Sequence, residues 1–271
     1  MIQVWIAETE AFQTEENFQR ALAWVDAERL KKVRACRLTE DKVRSLCCGL
    51  LLQYALRAAG KPDTAQTCKR SASAAGKPEV CGSVCTAGER IPDAGARNTG
   101  KRELRYGYGA HGKPYLPDYP QYHFNLSHSG AYAAIAFGGC EVGIDIQKRR
   151  PVKDRLAKKV LTKAEYAYYT SLVDIRERED WFFRCWCRKE SRSKLTGEGL
   201  APQPAGEQSM REAPHGETCG VVFREYQPRP DYYMSVCAAP PKAEEAEVFP
   251  EASPFPQEAA DITQELLVMI G

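Results

Sequence analysis

Much that would assign a function at a glance is missing from this chain of 271 residues. No apolar run approaches the ~18 residues that a membrane-spanning helix requires, so no span is expected. The opening stretch, MIQVWIAETEAF, has no basic segment followed by an apolar one, so an export signal is not expected either. Neither sign of charge dominates. Lys and Arg total 38 against 36 Asp and Glu, a net of +2, which argues against a broadly basic nucleic-acid binder. No G-x-x-x-x-G-K-[ST] segment is present to cradle a phosphate. The 11 cysteines include no C-x-x-C pair. Cys81 and Cys85 come nearest to that spacing, with no second Cys or His pair beside them, so tetrahedral zinc is not expected. Cys47, Cys48, Cys185 and Cys187 fall in periodic or apolar stretches, where a thiol behaves as a small hydrophobe. Reduced structural thiols in a cytoplasmic protein are the expectation.

What remains is a mixed helix and strand pattern in a chain that is 43% hydrophobic and 27% charged. Length over a ~150-residue prior gives two domains, or one large domain of two lobes. A strand is predicted over 3–7 and helices over 15–25, 27–38 and 40–59. The third helix turns Val43, Leu46, Leu50, Tyr54 and Leu56 toward a core and stops at Gly60-Lys61-Pro62. Residues 61–101 are rich in Ala, Ser, Gly, Thr, Pro, Lys and Glu and have almost no aliphatic periodicity. They read as a flexible insertion, tolerated because closure entropy grows only logarithmically with loop length. Beyond Leu104, strands at 132–137 and 141–147 read as a hairpin joined by Gly138-Gly139. Helices over 154–172 and 177–196, a Pro/Gly/Glu-rich break at 201–216, and strands at 220–223 and 232–238 follow. From Pro240 the chain is acidic and Pro-rich. Its end, with Ile262, Leu266 and Ile270 four apart, has the spacing of a short amphipathic helix.

Three patterns bear on chemistry. In EVGIDIQ, side chains alternate faces, which puts Gly143, Asp145 and Gln147 opposite Val142, Ile144 and Ile146. An acid and an amide two apart can offer oxygens to a hard cation, the plain alternative being a solvent-exposed strand face. In the 177–196 helix, Trp186, Glu190, Lys194 and Gly197 share one face. Glu190 and Lys194 alone form an ordinary i,i+4 pair. Set against the Asp145 strand, they become a second carboxylate and a phosphate neutraliser. Two further patches suit phosphate: the cations Arg29, Lys31, Lys32, Arg34, Arg37, Lys42 and Arg44, and the turn-like Asn125-Leu-Ser-His-Ser129, which presents small donors such as Ser127 beside His128. The first patch could equally be a solvated face, and His128 an ordinary turn histidine.

Taken together, GKPYLPD at 112–118, FNLSHSG at 124–130, GIDIQ at 143–147 and WCRKESRSKLTGEGL at 186–200 make the sequence resemble the Sfp-like 4′-phosphopantetheinyl transferases. Weaker similarity runs through ERLKKVRACRLTEDKVRS at 28–45. The resemblance covers residues 2–60 and 104–240. It implies an α/β (α+β) fold of two similar, pseudo-symmetric lobes, 1–138 with the insertion at 61–101 and 139–240, followed by a 241–271 tail. Coenzyme A would lie between the lobes. By position, Asp145, Gln147 and Glu190 would hold Mg²⁺ on the pyrophosphate, with Asp145, Glu190 and Lys194 as the catalytic set. Lys194, His128, Ser127 and Lys113 would contact the phosphates, and Arg29, Lys32 and Arg44 the 3′-phosphate and adenine end. The implied reaction moves 4′-phosphopantetheine from coenzyme A to a serine of an apo acyl or peptidyl carrier protein. A monomer that binds neither nucleic acid nor membrane is expected. Many relatives carry an acid at the place of Gln147, others a glutamine. Ser191-Arg192-Ser193 is more polar than the residues common between that glutamate and lysine, which would loosen the helix's packing. The rival is a coenzyme A binding relative without catalysis, and the presence of Asp145, Glu190 and Lys194 together argues against it.

Overall fold

A β-branched and aromatic opening segment, QVWIAE, forms the first strand, β1 (Gln3–Glu8), with alternate residues buried. The computed structural model describes residues 1–60, 101–197, 215–218, 221–239 and 255–271. After a 3-10 turn at Glu10–Phe12 come α1 (Glu15–Leu22), α2 (Ala27–Ala35) and α3 (Thr39–Ala59). Each of the first two helices starts at a side-chain cap. Thr14 Oγ1 accepts from the Asn17 amide and Asp26 Oδ1 from the Arg29 amide, so the two helices the sequence predicts begin at separate caps. The middle of α3 is buried all round, from Ser45 to Gln53, as a helix enclosed on every side must be. Buried Gln53 exchanges hydrogen bonds with both backbone groups of Arg102, so the ends flanking the 61–100 segment meet. The predicted insertion itself lies outside the described residues, as does most of the 201–216 break.

A two-stranded ribbon, β2 (Gly107–Tyr108) with β3 (Pro114–Tyr115), leads to β4 (His123–Ser129) and β5 (Tyr132–Gly138). The second half supplies β6 (Val142–Lys148), α4 (Asp154–Val160), α5 (Lys163–Ser171), α6 (Ile175–Thr196), β7 (His215–Thr218), β8 (Val221–Tyr226) and β9 (Tyr232–Ala238). The chain ends in β10 (Ala260–Asp261) and α7 (Thr263–Ile270). Two four-stranded sheets result, ordered β10-β1-β5-β4 and β6-β9-β8-β7. Ile2, Val4, Ile6, Ala134 and Ala136 of the first sheet meet Val142, Ile144, Ile146, Met234 and Val236 of the second in a shared apolar layer. The outer face of the first sheet is covered by α1, α3 and α7, that of the second by α4–α6. This is a mixed helix and sheet protein, as expected. Among the described residues no helix is long and apolar enough to cross a membrane.

Several sequence expectations change. β5 and β6 are not a hairpin: β5 pairs with β1 and β4, β6 with β9, and Gly138-Gly139 is the crossing between sheets. Two apolar runs around a Gly-Gly link read alike in either case, because β6 sends its apolar residues into the same layer as β5 does. The predicted 154–172 helix is broken at Leu161–Thr162, where Thr162 and Glu165 form a reciprocal capping box. Asn125–Ser129 is not turn-like but lies within β4. The C-terminal segment is not a separate tail. β10 pairs in parallel with β1, and Ile262, Leu266 and Ile270 complete the core under the first sheet.

β4 and β6, the facing edges of the two sheets, share no backbone ladder. Instead three alternate β4 side chains reach across. The amides of Ile144, Ile146 and Lys148 donate to Asn125 Oδ1 at 3.0 Å, Ser127 Oγ at 3.2 Å and Ser129 Oγ at 2.9 Å.

Candidate active site

The non-core face of β6 is where the two halves of the sequence pattern meet. Gly143, Asp145 and Gln147 face α6, and Asp145 is only 2% exposed, which removes the reading of a solvated strand face. The helix can come this close because residue 143 has no side chain. A Cβ there would lie 2.0 Å from the carbonyl oxygen of Ser191. Ser191 is itself fully buried, its hydroxyl donating to the Arg188 carbonyl and bonded to Ser235 at 3.1 Å. Its small polar side chain therefore belongs to a tight contact, correcting the expectation of loosened packing.

Lys194 reaches back from α6 to Asp145 Oδ1 at 2.7 Å and to Ser127 Oγ at 2.9 Å. Ser127 Oγ donates to Asp145 Oδ1 at 2.9 Å, and Gln147 Nε2 donates to Asp145 Oδ2 at 3.0 Å. Glu190, one turn before Lys194, is half-buried. Burial first and the nearby charge of Asp145 second hold its carboxyl above the usual range, only partly offset by Lys194. Neighbouring Lys189 turns the other way. It is buried, donates to the Val160 carbonyl at 2.8 Å and pairs with buried Glu165 at 2.5 Å, pinning α6 to α5.

From the first sheet and its helices, His128, Arg44 and Arg29 approach the same place. His128 is exposed as a residue, but part of its ring is walled in. That burial, then the charges of Arg44, Lys194 and Arg29, hold it below its ordinary value. Arg44 is fixed by the Gly130 carbonyl at 3.1 Å and by Asp41 at 2.7 Å. The Arg29 stem lies over Gly49, where a Cβ would come 2.6 Å from Arg29 Cγ, and Arg29 Nε is buried with no hydrogen-bond partner.

Two expected residues are engaged elsewhere. Lys113 bonds Glu141, the Val142 carbonyl at 3.0 Å and the Leu195 carbonyl at 3.1 Å, stapling the start of β6 to the end of α6. That is three residues from Asp145, about 10 Å along a strand. Lys32 pairs with Glu28 at 3.2 Å and lies over the rings of Tyr106 and Tyr108. Sequence reasoning missed Gly49, the Lys189–Glu165 pair, and Asn125 and Ser129 as sheet connectors. Only the alternation of N-x-S-x-S hinted at the last.

Would these residues suit Mg²⁺? Asp145 and Glu190 lie near enough for one to raise the other's pKa, a repulsion that Lys194 offsets only in part and that a cation would relieve. Among the described residues no cluster of three His, Cys, Asp or Glu side chains exists, so a third protein oxygen would be the Gln147 amide. One or two carboxylates completed by phosphate and water is the set that Mg²⁺ takes, and the residues fit.

Arg29, Arg44 and Lys194 gathered about His128, with Asp145 and Glu190 close to Lys194, make an α/β protein suited to a phosphate-rich ligand with a divalent cation. Residues 141–237 match the family model described as the 4′-phosphopantetheinyl transferase superfamily. Over 149 residues the chain is 36% identical to the 4′-phosphopantetheinyl transferase Sfp of Bacillus subtilis (strain 168), covering 52% of this chain and 66% of that one, just under two thirds. It is 37% identical over 105 residues to the 4′-phosphopantetheinyl transferase HetI of Nostoc sp., covering 36% of this chain and 44% of HetI. It is also 36% identical over 104 residues to the human L-aminoadipate-semialdehyde dehydrogenase-phosphopantetheinyl transferase, covering 34% of each. The chain is thus similar to 4′-phosphopantetheinyl transferases over about half its length, with the family-model match itself confined to residues 141–237.

Proposed function

We propose that this protein is a Mg²⁺-dependent 4′-phosphopantetheinyl transferase that uses coenzyme A to modify a serine of an apo acyl or peptidyl carrier protein. The observation that carries the reading is the meeting of Lys194, Asp145 and Glu190 with His128, Arg44 and Arg29 across two sheets. Arg29 and Arg44 hold the 3′-phosphate end, and the unpartnered Arg29 Nε gives that end a ready donor. His128 and Lys194 donate to the pyrophosphate. Lys32 and Lys113 are read as further coenzyme A contacts, while Ser127, bonded to Asp145 and Lys194, supports those two side chains. Asp145, Glu190 and Gln147 hold the metal, which when bound offsets negative charge on the pyrophosphate.

The carrier serine hydroxyl attacks the β-phosphorus, the bond to the bridging oxygen breaks, and 3′,5′-ADP departs with the electron pair. Glu190, directly or through water, takes the hydroxyl proton. A group in that role contributes ~10²–10⁴-fold. We read the two sheets as two related lobes, 1–138 and 139–240, in a monomeric cytoplasmic protein. Intact-mass measurement of a panel of apo carriers incubated with this protein, coenzyme A and Mg²⁺ tests the reading. One added phosphopantetheine on a carrier, absent with Asp145→Ala, is expected. No modification of any carrier would overturn it.

A further inference from the structure

Exposed sheet edges are normally paired, covered or blunted, because their free amides and carbonyls seek partners. The facing edges of β4 and β6 do none of the usual things. Three residues on one face of β4, each two apart as strand geometry requires, substitute side-chain oxygens for a neighbouring backbone. Asn125, Ser127 and Ser129 accept from successive alternate amides of β6 at 3.0, 3.2 and 2.9 Å. The outer two contacts only join the sheets. The central one does more, because Ser127 Oγ also bonds Asp145 and Lys194 at 2.9 Å each.

A hydroxyl has one hydrogen to donate and two lone pairs to accept with. At Ser127 the hydrogen goes to Asp145 Oδ1, and the lone pairs take the Ile146 amide and the Lys194 ammonium. All of its capacity is used within the protein, and the residue is only 5% exposed. Little is left for a ligand.

We infer that the Asn125–Ser127–Ser129 ladder locks the two sheets together, and that Ser127 is a positioning residue which sets Asp145 and Lys194 by the spacing of the sheets. The catalytic consequence rests on the transferase reading, whereas the lock does not. If the sheets shift at this edge, the central hydroxyl can no longer reach β6 and Asp145 together, so the carboxylate loses its orientation. Shape at the lobe junction is thereby coupled to the geometry of the metal pocket through one oxygen.

Amide hydrogen exchange resolved at Ile144, Ile146 and Lys148, together with transfer rates against Mg²⁺ and coenzyme A concentration, tests this. Ser127→Ala should speed exchange at Ile146 by about tenfold, the scale of one net hydrogen bond. It should raise the Mg²⁺ concentration for half-maximal rate several-fold and lower kcat, with little change in KM for coenzyme A. Ser127→Thr, which keeps the hydroxyl, should recover both. Ser129→Ala should speed exchange at Lys148 while leaving the Mg²⁺ dependence alone. In the unaltered protein, adding Mg²⁺ with coenzyme A should shift the Ile146 amide resonance more than that of Lys148, a measurement that needs no variant to fold. Unchanged exchange at Ile146 in Ser127→Ala, or an unmoved Ile146 resonance, would overturn the inference. So would a variant whose only defect is a raised KM for coenzyme A, which would make Ser127 a phosphate contact. If exchange responds as expected but no carrier is ever modified, the function fails and the lock stands.

Discussion

Gly49 carries no chemistry, yet it decides where Arg29 lies. Because the Arg29 stem crosses α3 where no Cβ stands, the guanidinium is carried toward His128 and Lys194. Gly49→Ala would place a Cβ 2.6 Å from Arg29 Cγ and 2.7 Å from Val25 Cγ1. Overpacking of this kind costs about 1–3 kcal/mol, and the flexible arginine is the easier group to displace. If Arg29 holds the 3′-phosphate, the variant should bind coenzyme A ~10- to 100-fold more weakly, the scale of one charge-assisted contact, while dephospho-coenzyme A is little affected. Calorimetric titration of both ligands decides it, and an unchanged ratio of affinities would remove Arg29 from the 3′-phosphate site. Just before β6, Glu141 is held down to about 2 by its hydrogen bond from His123 and then by Lys113. A depressed carboxylate stabilises the fold above its ordinary value near ~4.3 and loses that contribution as pH falls toward its folded value. Glu141 is half exposed, so solvent screening keeps the effect to ~0.2–1 kcal/mol. In urea titrations, Glu141→Gln should be weaker than the native protein by that margin at pH 6, and the gap should shrink below about pH 4 and close at about pH 2. A gap independent of pH would show that the Glu141 charge does not act.

At the scale of elements, the decisive contact is α6 on β6. Its periodicity was readable, since Trp186, Glu190 and Lys194 at helical spacing predict a shared face, and Asp145 with Gln147 at strand spacing predict another. That those faces meet was not readable from either pattern alone. The signals for it are small residues, Gly143 and Ser191, whose value lies in what they leave out. The capping box that splits α4 from α5 was missed because apolar periodicity runs across Leu161 without a break. Its glutamate then does a second job, pairing with Lys189 on α6. Removing one partner of a buried ion pair typically costs about 3–5 kcal/mol, because the other charge is left stranded, whereas removing both is often nearly neutral. Lys189→Met should therefore destabilise strongly by urea unfolding, and Lys189→Met with Glu165→Gln should recover most of that loss. A double variant as weak as the sum of the two singles would show that the pair is not coupled.

At the scale of the molecule, strand order is what the sequence hid. A chain that crosses from one sheet to another at Gly138-Gly139 looks locally like one that turns back in a hairpin. Only the pairing partners, β1 and β4 for β5 and β9 for β6, tell the two apart. The last seventeen residues were equally opaque, because Pro-rich acidic sequence precedes them and their four-residue apolar spacing fits a free amphipathic helix as well as a docked one. The structure returns them to the start of the chain. The Ile262 amide donates to the Ile6 carbonyl at 3.0 Å, the Glu8 amide to Thr263 Oγ1 at 2.8 Å, and Leu266 is fully buried between α7 and the first sheet. This closure acts on the sheet whose far edge, β4, carries Ser127 and His128. Leu266→Ala should cost about 2–5 kcal/mol, the range for a truncated buried leucine, since the core around it is built from α3 and β1 and cannot easily collapse. Val268→Ala, on the same helix but 82% exposed, should cost almost nothing. Urea unfolding of the two variants reads the difference directly. If Leu266→Ala unfolds at the native midpoint, the C-terminal helix is not part of the first sheet's core.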